Sequence, residues 1–188
     1  MPELSEVQDD ASTPWVFGYG SLLWNPGFAW SERHAARLDG YHRAFCRYSF
    51  RHRGTPESPG LVIGLREGGS CLGMAYRIAD GAYDEAMAYL DAREGAGYHR
   101  LARPVHVAQP HPHDLTAWVY VPNTGHPSYF GQQDPAHIAT LVANGQGESG
   151  AAIDYLRSLT AQLKLLGVEE TELTDVLRRA EALRKVAS

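Results

Sequence analysis

From Trp15 to about residue 121 the chain is a succession of short runs rich in Val, Ile, Tyr, Phe and Leu, cut apart by Gly and Pro. Runs of that make-up between turn-forming residues are read as strands. The candidates are 15–19, 41–49, 60–65, 70–78, 101–108 and 115–121. About six strands predict a curled, mostly antiparallel sheet, long enough to close into a small β-barrel, although the pattern alone does not separate a barrel from an open sheet.

Two stretches depart from the period of two. Tyr83, Met87 and Leu90 fall at helical spacing, which predicts an amphipathic helix over about 82–93, ended by the backbone freedom of Gly95 and Gly97. Beyond residue 149, Ala152, Leu156, Leu159 and Leu163 make one apolar stripe, with Ser149 as the expected cap and Gly167 as the stop. Leu173, Val176, Leu177, Ala180 and Leu183 make another, with basic residues near its end complementing the helix dipole. The fold class expected is therefore α+β, a barrel flanked by helices, in a single domain over residues 15–188. Residues 1–14 carry Glu3, Glu6, Asp9 and Asp10, without the basic start or apolar middle of a secretory signal, and are read as an acidic tail.

Composition removes several functional classes. Seventeen Lys and Arg against 22 Asp and Glu leave a formal charge of −5, so no basic face for nucleic acid is expected. Charged residues and His interrupt every apolar run before it could span a bilayer. Cys46 and Cys71 sit in apolar strand-like segments and are expected to pack as small hydrophobes in a reducing cytoplasm. Nine His are scattered without zinc spacing, His111 and His113 falling at an apparent hairpin tip, so no metal is expected.

The first strand runs into Phe17-Gly18-Tyr19-Gly20-Ser21-Leu22, two glycines flanking an aromatic residue. Such a turn can open its amide N–H groups into a nest for a carboxylate or an oxyanion, with the Ser21 hydroxyl as a further donor. The duller alternative is a tight turn filled by aromatic side chains. Neither a dinucleotide-binding fingerprint nor a phosphate-binding loop fits, since Leu23 stands where a third glycine would be required and no Gly-Lys-Ser/Thr ending follows.

Glu94 extends the stripe 83, 87, 90 of the first helix, which turns a carboxylate inward. Burial raises a carboxyl pKa and makes it a better acceptor of a proton from an ammonium at neutral pH. The alternative is a helix-end Glu paired with Arg93, Arg100 or Arg103. Glu85, nine positions earlier, falls on the opposite side of the helix. The basic turn Arg51-His52-Arg53 either faces an anionic ligand or is an exposed hairpin. Tyr98, Tyr129 and Tyr155 either line a pocket or fill the core.

VFGYGSLLW at 16–24, HRGTPESPG at 52–60, YLDAREGAGY at 89–98 and GESGAAIDYL at 147–156 together resemble the ChaC family of γ-glutamylcyclotransferases, in the family's order and approximate spacing. The resemblance covers about 15–183. It implies a small barrel flanked by helices and a lyase that cyclises the γ-glutamyl group of glutathione to 5-oxoproline and releases Cys-Gly, without a cofactor. Carried over by position, it implies Glu94 as the catalytic acid/base and Gly18 to Leu22, with Phe17 ahead of them, as the substrate loop. The family's other acid in this region falls on Glu85, and Arg53, Tyr98 and Tyr155 are further possible contacts. Gly95-Ala96 departs from the family's usual Lys or Gly after the acid, which bears on local loop shape. Cyclisation of other γ-glutamyl peptides or amines, or ligand sensing without turnover, are the alternatives, and the oligomeric state is not readable.

Overall fold

The computed structural model describes residues 13–186. The acidic tail falls largely outside the described residues. Its last two positions belong to the fold: the Thr13 hydroxyl donates to the Thr116 carbonyl, and the Pro14 carbonyl accepts from the Ile78 amide at 2.8 Å.

Five strands close into a barrel in the order β1-β3-β2-β4-β5. They are β1 (Trp15–Gly18), β2 (Trp30–Ser49), β3 (Gly60–Ile78), β4 (Tyr98–Val107) and β5 (His113–Pro122). All pairings are antiparallel except the one that closes the barrel, where Val16 of β1 faces Trp118 of β5 in parallel. Two of the six expected strands are halves of one. The Gly68-Gly69 pair that separates them in sequence has φ of +95° and +72° and lies at a register shift opposite Gly40, so the glycines bend a continuous strand instead of ending it. β2 also begins eleven residues earlier than expected, because its first half is built of residues with weak β preference that β3 holds in register.

Between β3 and β4 runs α1 (Tyr83–Glu94), ended by Gly95 at φ +61°. Ala86, Met87 and Leu90 are buried, packing with Val16, Leu22, Ile78, Trp118 and Tyr120 into a cluster that fixes the helix on the barrel. After β5 come α2 (Pro135–Asn144), the two-residue strands β6 (Gln146–Gly147) and β7 (Gly150–Ala151), α3 (Ala152–Leu165) and α4 (Thr171–Val186). The three helices pack together over β3, and the α3 stripe Ala152, Leu156, Leu159 and Leu163 is buried as its spacing predicts. Burial of a leucine side chain contributes about 1.5–3 kcal/mol, so this stripe is a main anchor of the helical layer. In α4, Leu173, Val176 and Ala180 are buried whereas Leu183, expected in the same stripe, is exposed.

One capping expectation is corrected, and one helix adds to the expected elements. Ser149 does not cap α3, whose N-cap is Ala151 with no side-chain bond; Ser149 instead meets the His52 ring at 3.0 Å. The helix α2 was not anticipated. Its start follows a recognisable rule, with Asp134 accepting from the Ala136 amide at 2.9 Å and Pro135 in the first turn.

Candidate active site

After β1 the chain turns through Tyr19 and Gly20 into one helical turn, Ser21–Leu23. Gly18 permits this fold-back, because a Cβ there would lie 2.8 Å from the Cβ of Leu22. Each carbonyl of the loop is used inside the protein. That of Tyr19 accepts from buried Arg43 at 2.7 Å, that of Gly20 from Leu23, that of Ser21 from Asn25, and that of Leu22 from the Tyr76 hydroxyl at 2.9 Å. The amides of Gly20, Ser21 and Leu22 donate to no acceptor among the described residues. With its carbonyls turned into the protein, the loop leaves amides for a ligand.

Arg93 ties this loop to α1. Its guanidinium donates to Ser21 Oγ at 2.7 Å, to the Asn25 carbonyl at 2.9 Å and to the Tyr89 hydroxyl at 2.9 Å. Because Ser21 Oγ accepts there, its own proton is free to be donated elsewhere.

Glu94 follows at the last position of α1, on the wall of the same cavity as Tyr19 to Leu22; the cavity has a volume of about 680 Å³. Its side chain is 17% exposed. Arg93 Nε approaches Oε1 at 3.7 Å, too far for a hydrogen bond, and none of the described residues donates one to the carboxylate. Burial raises the Glu94 pKa above the ordinary carboxylate range, opposed in part by the charges of Arg93 and Arg47. Of the alternative partners Arg93, Arg100 and Arg103, Arg93 alone lies within ion-pair distance of Glu94; Arg100 pairs with Asp91 at 2.7 Å, and Arg103 donates to the Ala102 carbonyl.

Tyr19, Tyr98 and Tyr155 also border the cavity, and burial is the main cause that lifts each hydroxyl above its usual range, Tyr155 to about 12. They are neutral at neutral pH. Tyr19 donates to the Tyr120 carbonyl at 2.6 Å, and the Tyr155 hydroxyl accepts from the Ile63 amide at 3.4 Å. Arg53 borders the cavity from the 51–60 turn, donating to the Ser149 carbonyl at 2.6 Å with its guanidinium 5.5 Å from the Tyr155 ring centre.

The structure thus brings Phe17, Tyr19, Gly20, Ser21, Leu22, Glu94, Arg53, Tyr98 and Tyr155 to one cavity. Gly18 lies behind it as a packing position, Glu85 is exposed on the outer side of α1, and Tyr129 instead pairs its backbone with Arg47. Cys46 and Cys71 are buried free thiols, pushed by burial up to about 12 and about 11, which leaves them poor nucleophiles at neutral pH. Sequence reasoning missed Arg47, Ser128 and His126, which border the cavity from β2 and from the segment after β5.

A glycine loop with open amides and a desolvated helix-end Glu thus border one cavity. The family described as ChaC-like protein matches residues 14–183. This chain belongs to that family. A glutathione-specific gamma-glutamylcyclotransferase of Escherichia coli (strain K12) is 34% identical over 168 residues, which make up 89% of this chain and 73% of that one. A mouse protein named glutathione-specific gamma-glutamylcyclotransferase 1 is 35% identical over 162 residues, 84% of this chain and 73% of its own. In fold, this ChaC-like chain is similar to a crystal structure of a yeast gamma-glutamyl cyclotransferase specific to glutathione, with a TM-score of 0.84 over 90% of this chain and 96% of that one at 24% identity.

Proposed function

We propose that this protein is a glutathione-specific γ-glutamylcyclotransferase: it cyclises the γ-glutamyl group to 5-oxoproline and expels Cys-Gly. The observation that carries the reading is the shared cavity, with the desolvated Glu94 carboxylate on one wall and the amide-presenting loop Tyr19 to Leu22 on another. Membership in the family and the names of the relatives supply the substrate.

In the reaction the substrate's α-amino nitrogen attacks its own γ-amide carbonyl, the five-membered ring closes, and the amide bond to cysteine breaks. The substrate must fold back on itself, so much of the rate comes from holding nitrogen and carbonyl about 3–3.5 Å apart in line for attack. The nitrogen must first lose a proton. An α-ammonium titrates near about 8 and an ordinary Glu near about 4.3, a gap equivalent to roughly 5 kcal/mol against transfer. The raised pKa of Glu94 narrows that gap. Once protonated, the same carboxyl returns the proton to the departing amine. The amides of Gly20 to Leu22 stabilise the negative charge that develops on the carbonyl oxygen, and the Ser21 proton, left free by Arg93, adds a further donor.

We place this chemistry in one domain over residues 15–188 and in the cytoplasm, where the two unbridged buried cysteines are at home. The test is to incubate the purified protein with glutathione and look by mass spectrometry for 5-oxoproline together with Cys-Gly. Both products are expected. Their absence from a folded preparation would refute the assignment.

A further inference from the structure

Four arginines border the cavity, and three are accounted for by their partners. Arg51 pairs with Glu148 at 2.8 Å, Arg93 holds the glycine loop, and Arg53 binds the carbonyls of Ser149 and Ala151. Arg47 is different. The residue is 8% exposed, and its guanidinium stacks 4.0 Å from the Tyr98 ring centre. Nε and Nη2 both donate to one neutral acceptor, Ser128 Oγ, at 3.2 and 2.6 Å. That hydroxyl is fully used, since it meets His126 Nδ1 at 2.8 Å while the Ser128 amide also donates to Nδ1, making the hydroxyl the donor of that pair. No carboxylate pairs with Arg47 among the described residues.

A guanidinium taken out of water with hydroxyls beside it, and the Glu94 charge acting on it without an ion-pair contact, is an incomplete arrangement that a directly bound anion would stabilise. Both Nη1 protons and one on Nη2 remain unused. Arg47 borders the cavity, and no fully occluded side-chain nitrogen or oxygen among the described residues lacks a partner, so the unpaired Nη1 is not sealed off. Together Nη1 and Nη2 present the two-pronged face that matches a carboxylate. Arg47 is also close to Glu94 in the fold. Gly97, three residues after Glu94, packs so tightly on it that a Cβ there would lie 2.1 Å from Nη2.

We propose that Arg47 anchors the α-carboxylate of the γ-glutamyl substrate and thereby sets which γ-glutamyl compounds are turned over. This rests on the cyclotransferase reading above. The α-carboxylate and the attacking nitrogen share one carbon, so a nitrogen delivered to Glu94 brings the carboxylate within a few bond lengths of that same wall, where Arg47 has, among the described residues, no carboxylate ion-paired to it and, unlike Arg53, no backbone carbonyl either. The loop amides, being dipoles and not full charges, are then left for the carbonyl oxygen.

The test compares wild type and Arg47→Gln on three compounds: glutathione, γ-Glu-Cys-glycinamide, which lacks the C-terminal carboxylate, and 4-aminobutanoyl-Cys-Gly, which lacks only the α-carboxylate and cyclises to 2-pyrrolidinone. Loss of a charge-assisted contact lowers kcat/KM by about 10- to 100-fold on the first two compounds and by less than about 3-fold on the third. An equal loss on all three would show a purely structural role and overturn the proposal. A loss that vanishes with the glycinamide would move Arg47 to the other carboxylate and overturn it as well. Should Arg47→Gln fail to fold, Arg47→Lys keeps the charge but not the fork, and the same inequality among the three compounds is required. Wild-type protein that releases no 5-oxoproline from glutathione would refute the cyclotransferase reading itself, whereas turnover with equal losses refutes only the anchor.

Discussion

Glu94 is the residue on which the proposed chemistry turns, and its burial makes opposite demands on stability and activity. Its pKa in the folded protein is raised by desolvation. At pH below the ordinary carboxylate range the group is protonated both folded and unfolded, and its burial carries no charge penalty. As pH rises through the raised folded value the charged form must be held away from water, and stability is lost. Glu94→Gln is therefore expected to be at least as stable as wild type at neutral pH, with the difference shrinking on acidification, as urea titrations across pH would show. The same variant is expected to lose at least about 100-fold in turnover, the usual minimum for an absent general base. For the wild type, the acidic limb of kcat/KM should lie above the normal carboxylate range, because the proton-accepting form disappears as pH falls through the raised value; a limb at an ordinary Glu pKa would contradict the desolvated base. Gly20 makes a second residue-scale test. A Cβ there would sit 3.1 Å from the Tyr155 hydroxyl, so Gly20→Val, with two further methyl groups, is expected to crowd the loop and raise the Michaelis constant while the barrel remains folded by circular dichroism.

At the scale of elements, α1 positions Glu94 through its apolar face, since its N-cap residue Ala82 offers no side-chain bond. Leu90 is fully buried in the small cluster that seats the helix. Leu90→Ala is expected to cost about 2–5 kcal/mol of stability, measured by chemical denaturation, and to reduce turnover in the fraction that remains folded. The α1 stripe and the glycine loop could be read from sequence because both are local: a helix repeats within a few residues, and a turn declares itself by its glycines. The Arg47 corner could not. Arg47 and Ser128 lie 81 positions apart and meet only because the segment after β5 pairs its backbone with β2 at Tyr129. The first half of β2 was hidden for another reason. Arg33, Ala36 and Arg37 are not strand formers by preference, and β3 imposes their conformation by pairing. By contrast α2 carried a legible start at Asp134-Pro135, and only its brevity and small apolar residues concealed it.

For the molecule as a whole, barrel and helical layer have distinct tasks. The barrel supplies the glycine loop at the end of β1 and, through α1, the acid; α3 supplies Tyr155 and closes the cavity from the helical side, with Trp24 of the loop packed edge-on against that tyrosine at 5.4 Å. The two halves are joined by buried Arg43, which donates to the Tyr19 carbonyl and pairs with Glu170 ahead of α4 at 2.9 Å. Replacing Glu170 by Gln would leave that buried cation with weaker acceptors. The expected destabilisation is about 1–3 kcal/mol by denaturant titration, with a loosened loop and a higher Michaelis constant. The α+β class and the barrel followed from alternation and punctuation, whereas the number of strands did not, since a glycine that bends a strand and one that ends it look alike in sequence. The most direct measurement is product analysis of glutathione incubated with wild type and with Glu94→Gln, both shown to be folded. Release of 5-oxoproline and Cys-Gly in equal amounts by wild type, cut at least about 100-fold in the variant, is the predicted result; undiminished release by the variant would contradict the account.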